Sequence, residues 1–299
     1  MKEECQMSAL SDQIRKMFGE GDAKRDAGLK TPDDIIRYDD IRYGTEDDKL
    51  QMLDVYRPKG ISGKLPVIMS VHGGGWVYGD KEVYQFYCMS LAQRGFAVVN
   101  YSYRLAPEYK YPASFEDTKT VCDWIIANAE KYGFDTEHIF GVGDSAGAHM
   151  LSMLACALTN PEYAKTTGFD LPQGFAFRAI ALNCGAFLIN PSAKEDMTTQ
   201  LMADYLPRQG TEDEFRLIST VYHVTEDFPP VFIMTCPGDF LNEQPMHIIP
   251  KLEKLKVPFI YRRYGDKNDD LAHVFHCNIR LAAAKLCNDE ECEFFSKYL

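Results

Sequence analysis

Apolar residues recur along this chain with two distinct spacings. Leu10, Ile14, Met17 and Phe18 fall at i, i+4, i+7 and i+8, which predicts an amphipathic helix over residues 8–18, ended by Gly19 and Gly21. Strand-like runs at 35–43 and 52–56 follow, the second closed by Pro58. The apolar run 66–71, PVIMSV, is stopped by three glycines, and residues 97–101 form another short β-branched run. Val121, Trp124, Ile125 and Ala129 share one face of a helix predicted over 117–132. A strand at 139–142 leads into an apolar helix at 146–158. Further strands are predicted at 179–182, 231–235 and 259–262, and residues 290–298 end a final helix.

Strands alternating with helices imply βαβ units and a mostly parallel sheet, so the fold class is α/β with helices on both faces. The near-continuous apolar strands PVIMSV and VFIMT agree, because a parallel sheet is covered on both sides. Residues 185–228 are too many for an ordinary connection between two strands, and read as a helical insertion, a candidate lid. Ligands of such sheets bind beyond the carboxyl ends of the strands. Chemistry should be sought there.

Composition narrows the function. At 299 residues and 45% apolar content, the chain can bury a large core, and no apolar stretch approaches the eighteen residues of a membrane span. Lys and Arg number 32 against 44 Asp and Glu, a net charge of −12, which argues against nucleic acid or an anionic membrane as partner. Self-association is left open. Nine cysteines include no C-x-x-C pair, so zinc-ribbon and thioredoxin-like readings fail. With no apolar secretory core near the N-terminus, reduced thiols point to the cytoplasm. No period of 20–50 residues repeats, so a solenoid or propeller is excluded.

Two motifs carry chemistry. Gly143-Asp-Ser145-Ala-Gly147 is a G-x-S-x-G between a predicted strand and a predicted helix. In that context the glycines permit a turn too tight for side chains, and the serine hydroxyl is lifted clear of the sheet. The same residues also fit G-x-G-x-x-A, a dinucleotide fingerprint, but several strands precede it. The nearest acid at the right offset, Glu162, follows Asn160-Pro161 in a predicted loop rather than at a strand end. The second motif is His72-Gly-Gly-Gly-Trp76, directly after a strand, where consecutive glycines leave backbone N–H groups free to meet an oxyanion.

HGGGW, then Tyr103-Arg-Leu-Ala-Pro-Glu108, then GDSAGA resembles the hormone-sensitive-lipase-like family of α/β-hydrolases, over about residues 50–298. The resemblance implies Ser145 as nucleophile and Gly74, Gly75 and Ala146 as oxyanion donors. Ala148 departs from the family's glycine. The acid should follow a late strand, where Asp239 stands in a segment like the family's Asp-Pro-Leu, with Phe240 in place of proline. Glu243 is its nearest competitor, read as lying in a helix. Chain order leaves His273 and His276 as candidate bases, and the family's His-x-Phe pattern matches Ala272-His273-Val-Phe275. His149, on the elbow helix, is read as a packing residue.

The resemblance also implies a cap, mapped to residues 1–30 and 186–228, on a catalytic domain spanning 31–299. Cap aromatics Phe18, Phe187, Tyr205, Phe215 and Tyr222 are candidate substrate contacts, as is Trp76 beside the oxyanion turn. The expected activity is hydrolysis of small or short-chain acyl esters, with no metal or organic cofactor. An amide hydrolase and a non-catalytic ligand-binding relative stay open as alternatives.

Overall fold

In the computed structural model, which describes residues 9–45, 49–168, 170–190 and 197–299, the apolar runs assemble into one eight-stranded sheet. Its strands are β1 (Ile35–Arg42), β2 (Met52–Pro58), β3 (Leu65–Val71), β4 (Ala97–Tyr101), β5 (Phe134–Asp144), β6 (Phe177–Asn183), β7 (Val231–Thr235) and β8 (Phe259–Arg263). The spatial order is β1-β2-β4-β3-β5-β6-β7-β8. β2 pairs antiparallel with both β1 and β4, and every other pairing is parallel. Val67, Met69 and Val71 feed one core and Ile68 the other, which is why the strand reads as continuously apolar.

The helices are α1 (Ala9–Asp26), α2 (Lys81–Ala92), α3 (Ala113–Ala127), α4 (Ala129–Tyr132), α5 (Ala146–Thr159), α6 (Pro161–Thr167), α7 (Met197–Tyr205), α8 (Glu212–Ile218), α9 (Pro245–Leu255) and α10 (Ala282–Ser296). α2 and α10 cover one face of the sheet, and α3, α5 and α9 the other. The chain runs from β3 out to β4 and returns past β3 to β5, so β3 and β5 flank the point where strand order reverses. The HGGGW and GDSAG segments leave the carboxyl ends of those two strands. That is where such a sheet opens a ligand crevice.

Several elements differ from expectation. α1 does not stop at Gly19 or Gly21 but runs on to Asp26. Each glycine costs a helix about 1 kcal/mol. The extra turns are held by the Asp22–Arg25 ion pair at 2.8 Å and by Arg25 Nη2 donating to Val83 O at 2.6 Å. The helix expected at 117–132 starts earlier, at Ala113, and breaks at Asn128. Glu162 lies in the first turn of α6, where Asn160 caps Glu162 and Tyr163. Glu243 sits in the turn before α9 rather than in a helix.

Parts of both segments expected to form a cap lie outside the described residues, namely 1–8 and 191–196. What is described packs together. Ser11 of α1 hydrogen-bonds Asp204 of α7. Arg15 donates to Val77 O at 2.8 Å and Ala106 O at 2.9 Å, and pairs with Glu108 at 2.6 Å. α1 is thereby tied to Val77, next to the HGGGW turn, and to the YRLAPE segment. Ala148 is fully buried. A Cβ placed on Gly185 would come within 2.8 Å of Ala148 Cβ, so the methyl at 148 is matched by a missing one at 185.

Glu291 of α10 is fully buried, and burial pushes its carboxyl up to about 7 although Asn183 and Tyr87 both donate to it. A carboxyl with a raised folded-state pKa binds more protons folded than unfolded. Stability is therefore expected to fall as pH rises from about 4.5 to about 7. Glu291→Gln can accept from Asn183 and donate to Tyr87. Thermal unfolding should show it more stable than the parent at pH 8, with the gap closing at pH 5. Equal gaps at both pH values would remove this assignment.

Candidate active site

Ser145 occupies the turn between β5 and α5 with φ 52° and ψ −119°, a strained backbone for a non-glycine residue. The flanking glycines are obligatory. A Cβ on Gly147 would lie 2.0 Å from Val71 O, and one on Gly143 would lie 2.7 Å from Gly147 O. Ser145 N–H donates to Asn183 O at 2.9 Å, which fixes the elbow to the end of β6. Three further non-glycine residues with positive φ gather here: Trp76 at 63°, Cys184 at 46° and Val274 at 55°. Strain of this kind persists only where surrounding packing enforces it, and it collects at working sites.

The HGGGW turn faces the elbow. Gly74 has φ 115°, and a Cβ there would lie 2.1 Å from Tyr78 O, so no other residue fits. Among the described residues, no hydrogen bond engages the backbone N–H of Gly74, Gly75 or Ala146. All three residues line one cavity of about 290 Å³ together with Ser145, Trp76 and His273. The turn is braced from behind. His72 is buried and stacks on Tyr103 at 3.9 Å, and Tyr103 O–H donates to His72 O at 2.8 Å. Burial pushes the His72 imidazole down to about 4.

Asp239 and His273 come together across 34 residues of chain. His273 Nδ1–H donates to Asp239 Oδ1 at 2.6 Å, Leu241 N–H to the same oxygen at 2.8 Å, and Thr235 O–H to Oδ2 at 2.6 Å. Burial pushes this carboxyl up, but bonding to His273, Thr235 and Leu241 outweighs it and holds the group below its usual value. An ionised Asp239 fixes the proton on Nδ1 and leaves Nε2 as the acceptor. Nε2 is buried and has no hydrogen-bond partner among the described residues. The Phe240 ring, 56% exposed, lies 4.1 Å from the imidazole and also lines the cavity.

The other candidates fall elsewhere. His276 sits in a 3₁₀ turn, Phe275–Cys277, fully buried against the Tyr87 ring at 5.0 Å and away from the cavity lining. Glu243 does not line the cavity. His149 accepts from Trp76 Nε1 at 3.2 Å and its Nε2 donates to Ile218 O at 2.8 Å, a packing role that holds the end of α8 to the elbow helix.

Among the aromatic contacts, Trp76 and Phe18 line the cavity but Phe187 and Tyr205 do not. Tyr205 is fully buried behind Trp76, stacked on it at 5.3 Å. Phe187 is fully buried beside Gly185. Both support the wall rather than form it. Phe215 is buried against Gly210, and Tyr222 is exposed, so neither reaches the cavity. Ile14 and Met17 of the α1 stripe, with Leu188, Ile189 and Leu201, which the sequence did not single out, supply the rest of the apolar wall.

Among the described residues, two side-chain sets could offer a metal three ligand atoms within 4.8 Å of one another: Asp144, His276 and Cys277, and Cys184, Asp239 and His273. Asp144 and Asp239 are already hydrogen-bonded within the protein. EDTA is expected to leave ester turnover unchanged in a direct rate assay. Activity lost to the chelator and restored by zinc would make this a metallohydrolase.

The BD-FAE family profile matches residues 53–242, most of the chain. The chain belongs to the BD-FAE family. Several relatives and structural neighbours of the chain are named as esterases. The chain is 32% identical over 206 residues to esterase LipC of Mycobacterium tuberculosis, covering 65% of this chain and 49% of LipC. It is 27% identical over 227 residues to versiconal hemiacetal acetate esterase of Dothistroma septosporum, covering 70% and 67%. The match thus spans about half of LipC's length. Among solved structures, esterase B of Lactobacillus rhamnosis superposes with a TM-score of 0.85 at 26% identity, over 97% of this chain and 95% of that one. This chain shares the α/β-hydrolase fold with its structural neighbours. No helix among the described residues is long and apolar enough to cross a membrane.

Proposed function

We propose that this BD-FAE member is a serine carboxylesterase for short-chain acyl esters. The observation that carries the reading is the 2.6 Å Asp239–His273 pair, whose imidazole borders the same cavity as Ser145 and the unspent N–H groups of the glycine turn. His273 Nε2 takes the Ser145 proton as Oγ attacks the ester carbonyl. The carbonyl oxygen, now negative, is held by N–H groups of Gly74, Gly75 and Ala146. His273 then gives its proton to the leaving alcohol as the C–O bond breaks, and the acyl group stays on Ser145. Water, deprotonated by the same nitrogen, releases the acid. Asp239 keeps the imidazole in the right tautomer and stabilises its cation.

A cavity of about 290 Å³ is at the small end for ligand sites, and its wall is mostly apolar, which supports short acyl groups. Eight described cysteines are free and buried, in keeping with a reducing compartment. The test is turnover of matched p-nitrophenyl esters and anilides over acyl chains of two to twelve carbons. Esters of two to six carbons should exceed the twelve-carbon ester and all anilides in kcat/KM by about 100-fold, an advantage of two tenfold steps in transition-state binding. Faster anilide cleavage would make the protein an amidase. Tight ester binding without turnover would make it a ligand-binding relative.

A further inference from the structure

One side chain joins the two halves of this site, and it comes from α2. Tyr84 is 6% exposed. Its hydroxyl accepts from Gly73 N–H at 2.9 Å and donates to Asp144 Oδ2 at 2.7 Å. Gly73 immediately precedes the oxyanion donor Gly74, and Asp144 immediately precedes Ser145. The approach is tight, since a Cβ on Gly73 would lie 2.6 Å from Asp144 Oδ2 and 3.0 Å from the Tyr84 oxygen. We infer that Tyr84 is a positioning residue, whose phenol sets the separation between the nucleophile and the oxyanion donors by bonding the residue before each.

The direction of the chain of bonds is fixed by its ends. Burial pushes the Asp144 carboxyl up to about 6, so at neutral pH and above it is ionised and can only accept, while a backbone N–H can only donate; the phenol then accepts from Gly73 and donates to Asp144. The phenol is itself held firmly. Asp80 accepts from Val83 N–H at 2.9 Å and starts α2, and Lys81 pairs with Asp54 at 3.0 Å. The Tyr84 ring lies 5.7 Å from the His72 ring on the turn it braces. Removing the hydroxyl leaves a buried N–H and a buried carboxylate without this partner. Both segments are then free to move by the fraction of an ångström that matters to a preorganised oxyanion site.

This inference rests on the esterase reading for its kinetic consequence but not for its structural one. Tyr84→Phe is expected to lower kcat about 10- to 100-fold on a short ester, less than the loss of an entire oxyanion donor, with KM within about threefold. Affinity for an alkyl trifluoromethyl ketone, whose adduct places an oxyanion in the hole, should fall in parallel with kcat. Amide hydrogen exchange across residues 72–76 should quicken in the same variant, a readout independent of turnover. Asp144→Asn keeps an oxygen for the phenol and should stay within about threefold of the parent, whereas Asp144→Ala should match Tyr84→Phe. Unchanged kcat and exchange in Tyr84→Phe would overturn the proposal, as would equal losses in the ketone's affinity and in 1/KM. If Tyr84→Phe does not fold, the Asp144 pair decides, and equal activity of Asn and Ala at 144 overturns it. A parent enzyme inert toward esters, with faster exchange in the variant, would fail the esterase reading and leave the bridge standing.

Discussion

Ser145→Ala is expected to lose about 10⁶ in kcat on any ester the parent cleaves, the scale seen when a hydrolase of this kind loses its nucleophile. The residue that remains should still bind substrate, because the change removes one hydroxyl and adds no bulk. Alanine also accepts the elbow as badly as serine does, since φ 52° is strained for both, so stability should change little. Residual turnover of about 10³–10⁴ over water would come from the oxyanion donors and from binding. Steady-state rates and a binding measurement on the same preparation check both halves. Near-parent activity would remove Ser145 from the chemistry.

The second large effect distinguishes two histidines three residues apart. His273→Ala should lose about as much as Ser145→Ala, because members of such a set act as a unit, and the double variant should be no worse than either single one. Asp239→Asn should cost about 10⁴, by favouring the wrong imidazole tautomer. His276→Ala should change kcat little but lower stability, because it empties a fully buried site beside Tyr87. Burial pushes the His276 imidazole down to about 3, so it stays neutral over the working pH range and carries no charge to lose. An inert His276→Ala beside an active His273→Ala would move the base to residue 276.

Much of this architecture was legible along the chain, for reasons that differ between elements. β7 matches its expected bounds and β4 does too, because each is a short β-branched run between clear breaks. The sequence predicts a helix at Glu243 but not the bounds of α9, because Pro245 opens it and Pro250 lies inside it, and an internal proline normally argues against a helix. α2 was missed behind the glycines, although Asp80 followed by Tyr84, Tyr87, Cys88 and Leu91 carries both a cap and a helical spacing. Missing α2 meant missing Tyr84.

Within the site, Ser145 was readable because the elbow is a local device of five consecutive residues. The pairing of Asp239 with His273 was not readable from spacing, since it depends on how β7 and the loop after β8 meet. Chain order and resemblance supplied it. Trp76 was placed by its neighbours in the motif. Phe187 and Tyr205 were named from aromaticity within a cap segment, which does not tell a wall residue from one behind the wall. Both bury their rings in the core instead.

The most direct measurement traps the covalent species. The protein is mixed with a short-chain alkyl p-nitrophenyl phosphonate, digested, and mapped by mass spectrometry. One equivalent of p-nitrophenol should be released, and the phosphonyl mass should reside on the peptide carrying Ser145, with no adduct in Ser145→Ala. A stoichiometric adduct on another residue, or ester turnover that survives full phosphonylation, would contradict the assignment of Ser145 as the nucleophile.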